Sequence, residues 1–358
     1  MKKLDWYILR KFLGTFVFIM ALLLCITVVI DLSEKIDPFV NNHATPGVII
    51  KDYYLYFLLY ITSLIGPFFV LVSVIFFTSQ LASRSEIIAI LNSGTSFYRM
   101  LWPYFVGATI LAAIFFFGNH YFVPFSNSKR IAFERTYVSK PMQGMRYNFH
   151  RMVEPGTIVY IENYKPSERS GYKFSIDKFK DGKLIYKLRS EKIDWDSIKQ
   201  RWQVRDYYIR ELNDKRDKIT SGELLDTKLA FRPEDIKFTE VYKDVMTTPQ
   251  LNAYIDDMIK SGQPDVEYFE VEKYRRTSSA FSIYILTLIG VSLASRKVRG
   301  GLGWHLVLGI GLSALYEIIM KFSITFSTNS SLPPIMGVWI PNLIFMLMAL
   351  YLMKTAPK

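Results

Sequence analysis

The chain has 358 residues, of which 50% are hydrophobic and 16% aromatic, a formal net charge of +12 and a mean hydropathy of +0.16. This is too apolar for an ordinary soluble protein and too polar for one built of membrane spans alone. The apolar residues crowd the first third and the last quarter, the pattern of a membrane protein carrying a soluble domain. The lone cysteine, Cys25, excludes an intramolecular disulfide and a cysteine-based metal site, and His43, His120, His150 and His305 are too scattered to make a ligand set. No metal and no cofactor is expected. The basic balance first raises nucleic acid as a partner. Its clustering at span ends speaks for membrane topology instead, with no nucleic acid bound.

The first apolar run, Phe12 to Ile30, is near the ~20 residues a helix needs to cross ~30 Å of hydrocarbon. Its core is too long for a signal peptide, and no A-x-A-like cleavage site follows. The second runs from about Tyr54 to Leu81, with Gly66-Pro67 predicting a kink. Between it and the third span, Met100 to Val123, lies "LASRSEIIAILNSG". Ser83 and Glu86 have capping-box spacing, and Gly94 is a natural helix-ending residue, so a short cytoplasmic helix of about 84–93 is expected.

The region from about Pro124 to Arg276 is polar. "GTIVYIENY", "YKFSIDKFKDGKLIYKLRS" and "RWQVRDYYIREL" alternate apolar and polar residues, and Asp181-Gly182 predicts a hairpin. Short, evenly spaced strands suggest a small sandwich, jelly roll or open barrel. "TTPQLNAYIDDMIKSG" predicts an amphipathic helix with Pro249 near its start and Gly262 at its end. A second polar helix, from about Asp265 to Arg276, runs into the fourth span, Ser278 to Ala294. The fifth span is Trp304 to Phe326 and the sixth Ile335 to Met353. Lys2, Lys3, Arg10, Lys11, Arg84, Arg99, Arg296, Lys297, Arg299, Lys354 and Lys358 all fall on one side if there are six spans. The positive-inside rule places that side, and both termini, in the cytoplasm.

No enzyme is legible. There is no HExxH and no G-x-S-x-G. The cluster Gly300-Gly301-Leu302-Gly303 lacks the Lys-Ser/Thr of a phosphate-binding loop. The charges inside the membrane are more informative. Glu317 and Lys321 stand four residues apart in the fifth span, with Glu317 ~20 Å in, where an ionisable group costs roughly 2.5–3.5 kcal/mol on insertion scales. They read either as a polar face toward a cavity or as a self-neutralised pair. Asp31, Glu34, Lys35 and Asp37 cluster where the first span leaves the membrane, and Arg275 and Arg276 where the fourth enters. These cations read as receivers of phosphate headgroups or as plain interfacial anchors.

Several stretches resemble the LptF/LptG permease family, the membrane subunits of a lipopolysaccharide-export ABC transporter. They are "LDWYILRKFLGTF", "SRSEIIAILNSGTSFYRML", "TTPQLNAYIDDMIKSGQP", "LIGVSLASRKVRGGLG" and "SLPPIMGVWIPNLIF", which together cover most of the chain. One departure is "SSAFSIY", where family members often carry a proline. "DLSEKIDPF" and the entry helix lean toward the LptG member. The resemblance implies six transmembrane helices with an inserted periplasmic all-β, jellyroll-like domain. The expected divisions are 1–123 for the first three spans, 124–247 for the β domain, 248–276 for a helical connector and 277–358 for the last three spans. It implies no catalysis in this chain and ATP hydrolysis on a separate ATPase subunit dimer. That dimer would dock on the loop helix through Glu86, with Arg84, Ile87, Ile88 and Leu91 beside it. A second homologous six-span permease would complete a heterodimer, and a single-span periplasmic jellyroll bridge would receive the lipid. Spans one and five would gate the cavity, placing Lys35, Glu34, Glu317, Lys321, Arg275 and Arg276 near lipopolysaccharide. The rival reading is a membrane-anchored scaffold whose β domain recruits partners without transport.

Overall fold

The computed structural model describes residues 3–138, 146–212, 216–227, 229, 231–233, 236, 243–262, 266–296, 301–329 and 332–356. Of the residues invoked above, Lys2, Lys297, Arg299, Lys358, Asp265 and Gly300 lie outside them. The chain divides into two compact units, one of Met1–Tyr137, Asp244–Leu251 and Glu267–Lys358, the other of Val138–Lys243 and Asn252–Val266.

The first unit is helical. In chain order it holds α1 (Lys3–Asn41), α2 (Leu55–Ser83), α3 (Glu86–Asn92), α4 (Phe97–Phe117) and α5 (Val123–Tyr137). The helix α6 (Thr248–Lys260) begins in this unit, and α7 (Val266–Ala294), α8 (Gly301–Asn329) and α9 (Pro334–Thr355) complete it. A π-helical stretch, Ile49–Tyr54, leads into α2, and another, Gly118–Phe122, joins α4 to α5. Six helical runs are long and apolar enough to cross a membrane. Two are longer than their apolar cores. The 39 residues of α1 measure about 58 Å at 1.5 Å per residue, nearly twice the ~30 Å hydrocarbon thickness. The run through α4 and α5 continues to Tyr137 rather than ending at Val123. α2 runs unbroken through Gly66-Pro67.

Lipid tails are as apolar as leucine, so such helices associate through close packing rather than through escape from water. Glycine permits it here. A Cβ at Gly290 of α7 would stand 2.7 Å from Val74 of α2, and one at Gly107 of α4 would stand 2.5 Å from the Phe12 ring of α1. Phe12 and Phe77 each lie 6.0 Å from the Tyr104 ring, at the centre of this core. α7 is the most enclosed span, with 67% of its apolar window buried, against 11% for α1.

The second unit is built on one antiparallel sheet whose six strands pair in sequence order. They are β1 (Arg146–Glu154), β2 (Thr157–Lys165), β3 (Ser170–Lys180), β4 (Lys183–Asp196), β5 (Arg201–Glu211) and β6 (Lys218–Thr227). Among the described residues the order is a simple meander. The expected Asp181-Gly182 hairpin is present, both residues having positive φ (50° and 77°) as a type I′ turn requires. One face carries the core, with Trp202 fully buried and its indole nitrogen donating to the Phe231 carbonyl at 2.9 Å. Lys173 and Asp206 adopt left-handed backbone inside strands (φ 53° and 50°), which costs roughly 1–3 kcal/mol each. They sit at breaks in the ladder on either side of β4. Between them the Ser190 hydroxyl bonds backbone carbonyls of Lys192 and Arg205. At the start of α6 the Gln250 Oε1 accepts from the Thr247 backbone N–H at 2.9 Å and from its hydroxyl at 3.0 Å, half of a capping box. It ends at Gly262, φ 56°.

Candidate functional site

The loop helix α3 is short and firmly seated. α2 stops at Ser83, Arg84 and Ser85 turn the chain, and Ser85 takes left-handed backbone, φ 61°. The expected capping box does not form. The Ser83 hydroxyl donates back to the Gln80 carbonyl at 2.9 Å, and the Ser85 side chain does not cap the helix. The physical reason is position: Ser83 still belongs to α2, two residues short of the N-cap. Glu86 instead accepts a hydrogen bond from the Tyr7 hydroxyl of α1 at 3.0 Å.

The apolar residues of α3 divide. Ile87 is 1% exposed, inside the core with α1, α2 and α4, and Leu91 packs against that core. Ile88 is 46% exposed. Neighbouring residues on a helix point about 100° apart, so the continuous Ile-Ile run cannot be one face. Of the five residues singled out in the sequence, Arg84, Glu86 and Ile88 reach the surface, while Ile87 and Leu91 hold the helix down. Sequence reasoning missed a second anchor. Asp5, 3% exposed, pairs with Arg99 at 2.7 Å and ties the start of α1 to α4.

The other end of the bundle is densely ionic. Lys35 donates to Asp31 at 2.7 Å, to Glu134 of α5 at 2.9 Å and to the Tyr53 hydroxyl. Arg130 clasps both Glu134 oxygens at 3.0 and 3.1 Å and lies 4.5 Å over the Tyr60 ring. Two cations and two carboxylates thus balance. Lys35, Asp31 and Glu134 side chains are all under one-fifth exposed. Glu34 is exposed and stands outside this network.

A second cluster lies on α7. Buried Glu272 receives Arg275 at 2.8 Å and Arg276 at 3.0 Å. Arg276, 2% exposed, also donates to the Thr248 hydroxyl of α6 at 3.1 Å. Thr248 in turn meets His120 Nδ1 at 2.9 Å. The two arginines therefore differ: Arg276 is structural, and Arg275, 39% exposed, presents outward. Glu272 escaped the sequence reading because it sits among other charged residues of a polar helix.

Glu317 of α8 is half-buried and Lys321 exposed. Among the described residues no ion pair within 4 Å joins them. The charges acting on Glu317 are those of Lys321 and Arg275. The structure thus brings Arg275, Glu317 and Lys321 into one electrostatic neighbourhood and places Lys35 in its own balanced cage.

The sequence model of the lipopolysaccharide export system permease LptF/LptG family matches residues 6–355. The chain belongs to this family. No curated protein matches it. Membership makes the chain a transporter component, not an enzyme, of a lipopolysaccharide export system that works with other Lpt proteins. Six apolar helices in a member of this family fit a multi-pass inner-membrane protein.

Proposed function

We propose that this chain is one permease half of an ATP-driven extractor, the LptG member, that lifts lipopolysaccharide from the outer leaflet of the inner membrane. A second homologous permease completes the cavity, and a single-span jellyroll bridge protein receives the lipid. In this reading both termini are cytoplasmic and the β unit is periplasmic. Residues 1–123 and 277–358 form the membrane part, 124–247 the β part and 248–276 the connector. Removing acyl chains from a bilayer costs ~0.8 kcal/mol per CH₂, so lipid with several chains requires an external energy source. A separate ATPase dimer supplies it through Arg84, Glu86 and Ile88 of α3.

The observation that carries this reading is the seating of α3. Ile87 locks it into the α1–α2–α4 core, and Glu86 takes the Tyr7 hydroxyl of α1 at 3.0 Å. A push on its exposed face therefore moves α1, one wall of the cavity. The other wall is α8. Arg275 of α7 and Lys321 of α8 meet the lipid phosphates there, with Glu317 beside them and Lys35 and Glu34 lining the cavity from α1, while Arg276 anchors α7 through Glu272 and Thr248.

The test is a photo-crosslinking residue at Phe322, exposed beside Lys321, and at Leu347 of α9, equally exposed. Capture of lipopolysaccharide at 322 and not at 347, increased by ATP in the assembled complex, is the expected result. Equal capture at both positions would refute a lipid path along α8.

A further inference from the structure

We infer that a groove along the amino-terminal part of α1 binds an anionic phospholipid, with its phosphate among Lys3, Arg10 and Lys11 and the top of one acyl chain against Gly14, Phe18 and Phe76 of α2. The groove encloses about 660 Å³, and no carboxylate is among its lining residues. The acids nearest in the fold are committed elsewhere. Asp5 is buried and paired with Arg99 at 2.7 Å, and Glu86 accepts from Tyr7 at 3.0 Å. The positive charge at this mouth is thus offered to an outside anion.

The polarity gradient points to a lipid rather than to a free ion. Arg10, Gly14 and Phe18 stand four residues apart on one helix face. From Arg10 to Phe18 the helix rises about 12 Å, enough to pass through the interfacial layer of roughly 5–8 Å and reach the acyl chains. Trp6, 61% exposed, lies at the mouth, at the level of the headgroups. Gly14 is the centre of the argument. A Cβ there would meet nothing within 4 Å, so its missing side chain leaves room that the packing of this chain does not use. The site lies on the α3 side of the membrane, remote from the Lys35 and Arg275 clusters. Because Tyr7 lines it and also holds Glu86, an occupying lipid would bear on the loop helix.

The test is native mass spectrometry of the full chain in neutral detergent, titrated with phosphatidylglycerol and with phosphatidylcholine of identical acyl chains. Two variants run beside it. Arg10→Gln/Lys11→Gln removes charge, and the expected loss is about thirtyfold in affinity for phosphatidylglycerol. Gly14→Leu keeps every charge and fills the acyl slot, and the expected loss is about tenfold, two methylenes' worth of contact. The unfolding midpoint of Gly14→Leu should be no lower than that of wild type, because its side chain enters open space and leucine is the better helix former. Tighter binding of phosphatidylglycerol than of phosphatidylcholine, with the preference lost in the charge variant, affinity for both lipids lowered in Gly14→Leu, and no displacement by equimolar inorganic phosphate, is the expected result. Equal binding of the two lipids, displacement by inorganic phosphate, or full binding by Gly14→Leu would each overturn the proposal. In the first case the basic residues act only as an orientation signal. The result is independent of lipopolysaccharide transport, which this assay does not read.

Discussion

The two ends of the helical unit are held by different physics. At the α3 end one hydrogen bond, one ion pair and a plug of apolar side chains suffice, and Arg84 and Ile88 remain exposed. At the far end Asp31, Lys35, Arg130 and Glu134 lock α1 to α5, and Glu272, Arg276, Thr248 and His120 lock α7 to α6 and the end of α4. An apolar seat lets a helix be pushed as a rigid piece, because packed cores shift between discrete arrangements. A charge network resists displacement until something supplies an equivalent charge. In the function proposed above, the first end receives force and the second exchanges partners with an anionic cargo.

The largest expected effect breaks the second end. Glu272→Ala leaves two arginines facing each other, one of them buried, and should destabilise the chain by roughly 3–5 kcal/mol, read as a lowered unfolding midpoint in detergent. Next, Gly290→Leu drives a side chain into Val74 and should cost about 1–3 kcal/mol by overpacking, while Gly14→Leu, in open space, should cost nothing. In the β unit, burial alone would raise the Asp194 carboxyl. Hydrogen bonds from Ser170 and Lys192 and the charges of Lys192 and Arg205 outweigh it and hold Asp194 below its ordinary value of 3.8. A carboxylate so depressed adds stability that is present above pH 3.8 and lost as pH falls through its folded value. Asp194→Asn should therefore flatten the acid limb of the β-unit unfolding curve, followed by Trp202 fluorescence, and leave the neutral region parallel. The smallest effect is Tyr7→Phe. It removes one exposed hydrogen bond worth at most about 0.5–1.5 kcal/mol, so stability should barely change, and any drop in transport would be a coupling effect.

Much of this was legible in the sequence, for reasons that mark where legibility ends. The six spans and the Asp181-Gly182 hairpin are written in hydropathy and in local turn chemistry. The extension of α1 to Asn41 and of the third run to Tyr137 is not, because a polar helix beyond the bilayer leaves no hydropathy signal. The meander order follows from pairing that alternation alone does not specify. At the site, Glu86 and the outward charges stood out as expensive residues in unusual places. Their partners did not. Lys35 finds Glu134 ninety-nine residues away, and Arg99 finds Asp5 ninety-four away, distances no local pattern encodes. The opposed directions of Ile87 and Ile88 depend on where α3 begins, which Ser85's left-handed turn fixes.

The central claim is that force enters through α3. The most direct measurement is purification of this chain from its native membrane with and without Glu86→Arg, identifying what accompanies it. The account predicts a small soluble ATPase and a second six-span protein with the wild-type chain, and loss of the ATPase alone with the variant, at unchanged thermal stability. An ATPase retained by Glu86→Arg, or absent from both, would contradict it.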